Sequence, residues 1–332
     1  MSADAALANR VAKNARHLGR WARREGLAAW RVYDRDIPEF PYAVDRYGEW
    51  LHVQLFEGRR ALEDDAIEAH LAALAQALEV PRERVAFKQR RRQRGLAQYE
   101  KLAARGAPFV VGERDLRFEV DLLSYLDTGL FLDHRETRAR VRAEAAGKRV
   151  LNLFAYTGSF SVYAAAGGAA QTVSVDLSQT YQAWTQRNLA LNGFDDAQRH
   201  RLVQADVTRW LEAARRAGER FDLVVLDPPS FSNSKRMQDS FDVQRDHVGL
   251  VEQALALLAP GGALYFSNNR QGFRLDPGLA ARHACVDITA ETIPPDFARR
   301  RPHQCWRIVA ATGNSPASPW TKAKTRRESS RS

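Results

Sequence analysis

The sequence predicts an α/β protein: a seven-stranded, mostly parallel sheet preceded by a smaller α/β unit. Three observations carry this. From about residue 135, short apolar runs alternate with helical segments, which is the grammar of a parallel sheet. The last two apolar runs, "ACVDITAETI" (284–293) and "CWRIVAAT" (305–312), have no such helix between them and read as a closing antiparallel hairpin. Before residue 125 the strand-like pieces crowd together, with Gly48 at a tight turn, as antiparallel neighbours do.

In chain order, residues 3–26 read as one amphipathic helix with Leu7, Val11, Leu18 and Trp21 on its apolar side. "AWRVYD" (29–34), "YAVDRY" (42–47) and "EWLHVQLF" (49–56) follow as strands. "ALEDDAIEAHLAALAQAL" (61–78) is a second amphipathic helix, and "RVAFKQRR" (84–91) and "RFEVDLL" (117–123) are further strands. The parallel part begins with the strand "KRVLNLFAY" (148–156), the turn "TGSFS" and a helix stopped by Gly167 and Gly168. Strands ending at Asp176, Asp206 and Asp227 come next, each followed by a helical segment; the last helix runs to a Pro260-Gly261-Gly262 stop. "ALYFSNN" (263–269) is the fifth strand. The chain divides into residues 1–125, a small α/β unit; 126–312, the parallel-sheet domain; and 313–332, a disordered tail of Gly, Ser, Pro, Lys and Arg.

Charge indicates the partner. The net charge is +10, and Lys and Arg cluster in three runs: near the start (Arg10 to Arg24), at 81–105, including Arg90, Arg91 and Arg92, and at 299–332. Any one run can be a solvated face, but three together tilt the chain toward a polyanion such as nucleic acid. Cys285 and Cys305 lack metal or disulfide spacing, so no metal site is expected and a reducing cytoplasm suits the chain. No apolar h-region or long apolar span points to export or a membrane.

Ligands of such sheets sit beyond the carboxyl ends of the strands, near the point where strand order reverses. There the first turn places Asn152, Phe154, Tyr156, Thr157, Gly158 and Ser159. One glycine in place of G-x-G-x-x-G speaks against a dinucleotide, and so against an NAD-dependent oxidoreductase, and suits a smaller nucleoside ligand. Asp176, with Leu177 and Ser178, offers acceptors for both ribose hydroxyls; Asp206, with Val207, can accept from an adenine amino group or instead cap the next helix. Acids at three successive strand ends around one glycine turn read together as an S-adenosylmethionine pocket in a Rossmann-like, class I methyltransferase sheet. Asp227, Pro228 and Pro229 then form a rigid corner that ends ladder pairing. Ser230 and Phe231 follow, the latter able to stack on an extruded base, while Lys235, Arg236 and Arg245 can take phosphates. Asn268 can meet the base edge or serve a turn.

"NRVAKNARHLGRWARREG", "YLDTGLFLDHRETR", "LNLFAYTGSFSVYAAAGGA", "DPPSFSNSKRM", "FDVQRDHVGL" and "FSNNRQGFRLD" closely resemble the RlmK half of the bifunctional 23S rRNA guanine methyltransferases RlmKL, over roughly residues 7–312. That half makes 7-methylguanosine. The resemblance implies 23S rRNA as substrate, as protein-free RNA or an assembly intermediate, and it leaves room for a separate partner in place of the half carrying the THUMP domain and the N2-guanine methylase. It also implies that Asp133, Arg135 and Arg138 lie over the methionine end of the cofactor. Guanine N7 attacks through a free lone pair and loses no proton, so no general base is needed; an exocyclic amine would use Asp227 or the Pro228 carbonyl. Cytosine C5 chemistry needs a thiolate near the fourth or fifth strand, and none is there. The other reading that remains is an RNA-binding assembly factor that holds the cofactor without turnover.

Overall fold

The computed structural model describes residues 3–57, 62–90, 107–125, 127–232 and 240–310. Helix α1 (Ala3–Arg24) buries Leu7 and Val11 completely and Leu18 and Trp21 in part, as their helical spacing predicts. It covers a four-stranded sheet of β1 (Ala29–Asp34), β2 (Tyr42–Tyr47), β3 (Trp50–Phe56) and β4 (Val85–Arg90), in that order. The first three strands pair antiparallel, and Gly48 turns β2 into β3 with φ 59°. β4 pairs parallel to β3, because α2 (Asp64–Ala77) carries the chain back across the sheet.

One strand was expected over 117–123. The structure instead has a hairpin, β5 (Phe109–Glu113) and β6 (Leu116–Val120), turned at Arg114 with φ 58°.

The seven-stranded sheet runs β14-β15-β13-β10-β7-β8-β9. Its parallel strands are β7 (Arg149–Leu153), β8 (Gln171–Asp176), β9 (His200–Gln204), β10 (Phe221–Leu226) and β13 (Leu258–Asn268). Helices α3 (Arg135–Glu144), α4 (Ser159–Ala166), α5 (Gln179–Leu191), α6 (Val207–Arg216) and α7 (Val243–Leu255) cover its faces. The chain moves outward from β7 to β9 and then returns to the other side of β7 at β10. The order therefore reverses at β7 and β10, and a crevice opens beyond their carboxyl ends. β14 (Ala284–Asp287) and β15 (Gln304–Val309) close the sheet antiparallel, as expected.

Two boundaries differ from the expectation. The Pro-Gly-Gly segment does not stop α7, which ends at Leu255; it belongs to β13. Pairing with β10 jumps from Phe221↔Leu258 to Leu223↔Ala263, and Gly261 sits at φ 78°, so the segment loops out as a bulge. The run 284–293 is a strand only to Asp287. The Asp287 carboxylate accepts from Thr289 N–H, and the short α9 (Thr289–Thr292) follows.

The two sheet systems share a core. Ala29, Tyr47 and Ala86 of the first pack in one cluster with Phe118 of the hairpin and with Val162, Tyr163 and Leu189 of α4 and α5. At its centre Glu113, 1 % exposed, accepts from Arg138 at 2.7 Å, Arg135 at 3.1 Å and the Tyr163 hydroxyl at 2.8 Å. Arg135 also donates to Asp296 and to the Ala29 carbonyl. Burial alone would raise the Glu113 pKa, but the two guanidinium groups outweigh it and hold it below the ordinary 4.5. A depressed folded pKa means stability that is present above the ordinary value and lost as pH falls through the lower one.

Replacing Glu113 by Gln leaves two buried guanidinium groups short of charge and is expected to cost about 3–5 kcal/mol in urea unfolding. The variant's remaining stability is also expected to decline less steeply than the wild type's below about pH 4.

Candidate active site

The crevice is built from the loops that follow β7, β8, β10 and β13. After β7, Phe154 and Tyr156 adopt left-handed conformations (φ 55° and 50°) and Gly158 a third (φ 74°). Non-glycine residues rarely take this conformation, so the turn is held by its surroundings. The Asn188 side chain on α5 donates to the Thr157 carbonyl, the Thr157 hydroxyl donates to the Gly129 carbonyl at 2.6 Å, and the Tyr156 hydroxyl accepts from Gly129 N–H. A Cβ on Gly158 would lie 2.2 Å from Thr185 Cγ2, so α5 leaves no space for a side chain there.

Asp176 ties this turn to the next. One carboxylate oxygen accepts from Tyr156 N–H at 2.9 Å and the other from Ser178 N–H at 2.8 Å. Each oxygen keeps a further lone pair. Burial raises the Asp176 pKa, partly offset by these two bonds.

Other expected cofactor residues take structural parts. The Asn152 side chain points into the interior, where it donates to Ser161 Oγ, which in turn shares a hydrogen bond with Ser174. Phe154 packs against Phe241 and the core beneath the sheet. Ser178 caps α5, and Asp206 caps α6 by accepting from Arg209 N–H and Thr208 Oγ; Val207 is buried. Capping is thus the role of the Asp206 oxygen Oδ1. Leu177 offers its carbonyl to Gln204, and Ser159 begins α4.

Arg135 and Arg138 are corrected. Both are fully buried, and their guanidinium groups are consumed by Glu113, Asp296 and backbone carbonyls, so neither is available to a cofactor carboxylate. Their spacing is that of one helix face, and that face looks inward at the hairpin.

At the end of β10, Asp227 Oδ1 accepts from Ser267 Oγ at 2.7 Å, and Oδ2 lies 3.5 Å from His134 Nε2. Pro228 and Pro229 end the strand. Ser230 donates to Asn269, and Phe231, in the short strand β11 (Phe231–Ser232) paired with β12 (Phe241–Asp242), is 45 % exposed. Arg245 is engaged by Asp246 at the start of α7. Asn268 is buried; its side-chain oxygen accepts from Arg270 N–H, as in a turn, and its Nδ2 has no partner among the described residues. Lys235, Arg236, Arg91 and Arg92, the Arg90 side chain and the tail from 313 lie outside the described residues.

Sequence reasoning missed two histidines. His134 stacks on His303 with centroids 4.1 Å apart, and His303 Nδ1 lies 2.9 Å from Asp133 Oδ2. His134 stands within the "LDHRETR" run; His303 is remote in sequence and carries no motif.

Residues 41–297 match the profile of S-adenosylmethionine-dependent methyltransferases. The chain belongs to that family. It is 51 % identical over 305 residues to the ribosomal RNA large subunit methyltransferase K of Neisseria meningitidis, covering 91 % of this chain and 86 % of that protein. It is 54 % identical to the methyltransferase K/L of Pseudomonas putida, again over 91 % of this chain but only 41 % of that longer protein. Among solved structures it resembles SMU.776, a candidate methyltransferase complexed with SAH (TM-score 0.74, 24 % identity, covering 92 % of this chain and 81 % of that one).

S-adenosylmethionine is therefore the cofactor, and the crevice fits it. The two lone pairs left on Asp176 suit a ribose diol, and the turn at Tyr156–Gly158 brings backbone close without a side chain in the way. Asp176→Ala is expected to weaken S-adenosylmethionine binding by about 10- to 100-fold in calorimetry, the loss of charge-assisted bonds to the two hydroxyls.

Proposed function

We propose that this chain methylates a guanine of 23S rRNA at N7. The observation that carries the reading is the corner at Asp227, where an acid with both oxygens facing donors sits beside two prolines and the exposed Phe231. S-adenosylmethionine supplies a methyl group on a sulfonium, ready for in-line displacement. The protein then has to bind the base, exclude water and hold the geometry. Phe231 offers a face on which an extruded base can stack. Ser267 donates to one Asp227 oxygen and His134 stands at the other, so protein neighbours occupy the carboxylate, which suits an acceptor nitrogen that has no proton to lose.

The names of the relatives support a large-subunit ribosomal RNA as substrate. In this reading residues 1–125 and the basic runs grip the RNA, residues 126–312 carry the transfer, and the work is cytoplasmic, on protein-free RNA or an assembly intermediate. The K/L relatives are more than twice as long as the matched region, so a separate partner is proposed to supply what their other part does. Exocyclic-amine methylation is the competing reading, favoured by the one-quarter exposure of the Asp227 side chain.

Incubation with labelled S-adenosylmethionine and protein-free 23S rRNA is expected to place label at one guanine, whose product borohydride and aniline cleave. Label at an aniline-resistant guanine would indicate an amine acceptor, and binding of the cofactor without transfer to any RNA would indicate an assembly factor. Phe231→Ala is expected to lower kcat/KM for RNA by about 5- to 100-fold, the value of one stacked base, with S-adenosylmethionine affinity unchanged.

A further inference from the structure

Four titratable groups from three separate parts of the chain meet behind the Asp227 corner. Asp133 and His134 form a 3₁₀ turn (Leu132–His134) ahead of α3, His303 precedes β15, and Asp227 ends β10. The imidazole rings are stacked with an interplanar angle of 14°. Phe160 packs edge-on against His134.

His303 is held at both ring nitrogens: Nδ1 faces the Asp133 carboxylate at 2.9 Å, and Nε2 lies 3.1 Å from the Thr292 hydroxyl, which also reaches the Thr289 carbonyl at 3.0 Å. Burial alone would raise the Asp133 pKa, but the two histidines and Arg31 hold it below the ordinary carboxylate range, which supports an ionised acid.

His134 is the opposite case. Burial first, then the charge of His303 and that of Arg138, lower its pKa, and the attraction of Asp227 and Asp133 does not restore it. A neutral ring has one N–H. Nε2 faces Asp227 Oδ2 at 3.5 Å and Asp133 Oδ2 at 3.9 Å, whereas Nδ1 is buried without any partner. The proton belongs on Nε2, because on Nδ1 it would be a buried donor with no acceptor.

Asp133, His134 and His303 also lie close enough to suggest a metal centre. The stacking argues against one. A metal must lie near the plane of each ligating ring at about 2.1 Å, and nearly parallel rings 4.1 Å apart share no such point.

We propose that His134 is a positioning residue for Asp227: its buried stack on His303 holds the ring so that an Nε2–H faces the Asp227 carboxylate and keeps it aimed into the transfer site. This rests on the reading that methyl transfer takes place at that corner. Ser267 donates to one oxygen at 2.7 Å and His134 Nε2 faces the other at 3.5 Å, so each oxygen has a neighbour that opposes rotation of the carboxylate.

Two variants and one spectrum test this. His134→Phe keeps the ring and loses the donor; His134→Gln keeps an N–H at that reach. In single-turnover methylation of 23S rRNA, His134→Phe is expected to be slower by about tenfold or more with S-adenosylmethionine affinity within about twofold, and His134→Gln to return to within about threefold of wild type. Ring-nitrogen NMR of the unaltered full chain at about pH 8 is expected to show His134 neutral with its proton on Nε2. A His134 proton on Nδ1, a folded His134→Phe that transfers at the wild-type rate, or a His134→Gln as slow as His134→Phe overturns the proposal. If His134→Phe does not fold, the rate of His134→Gln and the spectrum decide. If the unaltered chain transfers no methyl group to RNA, the reading of the site fails, while the spectrum still decides the proton arrangement.

Discussion

Glu113 carries one negative charge out of reach of water, and three donors converge on it from α3 and α4. Isolated, such a carboxylate would cost several kcal/mol, so it persists only while Arg135, Arg138 and Tyr163 hold their places. It comes from the hairpin that follows the small sheet, whereas its partners belong to the large one. Arg135 extends the network to the Ala29 carbonyl at the start of β1 and to Asp296 before β15. Two guanidinium groups and two carboxylates balance, and between them they connect β1, the β5–β6 hairpin, α3 and the segment before β15. The position of α3 follows from this balance, and so does the turn in front of it.

That turn is where the network reaches the chemistry. Arg138 donates to the Phe131 carbonyl, and the next three residues are Leu132, Asp133 and His134. One short segment thus shows two faces: its arginines look inward at Glu113, and Asp133 and His134 look toward β10 and β15. The change of direction falls where the 3₁₀ turn ends at His134 and α3 begins at Arg135.

Much of the crevice was legible in sequence. The alternation of strands and helices, the single-glycine turn and the acid at the end of β8 are local patterns, and the structure puts them beside the reversal of strand order. Asp206 was less decidable, because a helix cap and a ligand contact ask for the same residue at the same place, and the cap is what forms. Arg135 and Arg138 were misread for a different reason. A charge on a helix is ordinarily solvated, and nothing local announces that a glutamate more than twenty residues upstream folds back over both. The bulge in β13 was hidden because Pro-Gly-Gly is an equally good helix stop.

His303 shows where sequence reading ends. It lies 169 residues beyond its stacking partner, in no motif, and its role depends on three contacts supplied by other elements: Asp133 at one nitrogen, Thr292 at the other and His134 across its face. None of those contacts alone would distinguish it from any buried histidine. Taken together they hold the plane of its ring, and the His134 ring stacks on that plane. A neutral His134 can offer only one N–H, and the two carboxylates beside Nε2, with Nδ1 buried and without a partner, determine which. The aim of the donor at the transfer site thus follows from contacts that exist only once the antiparallel end has closed.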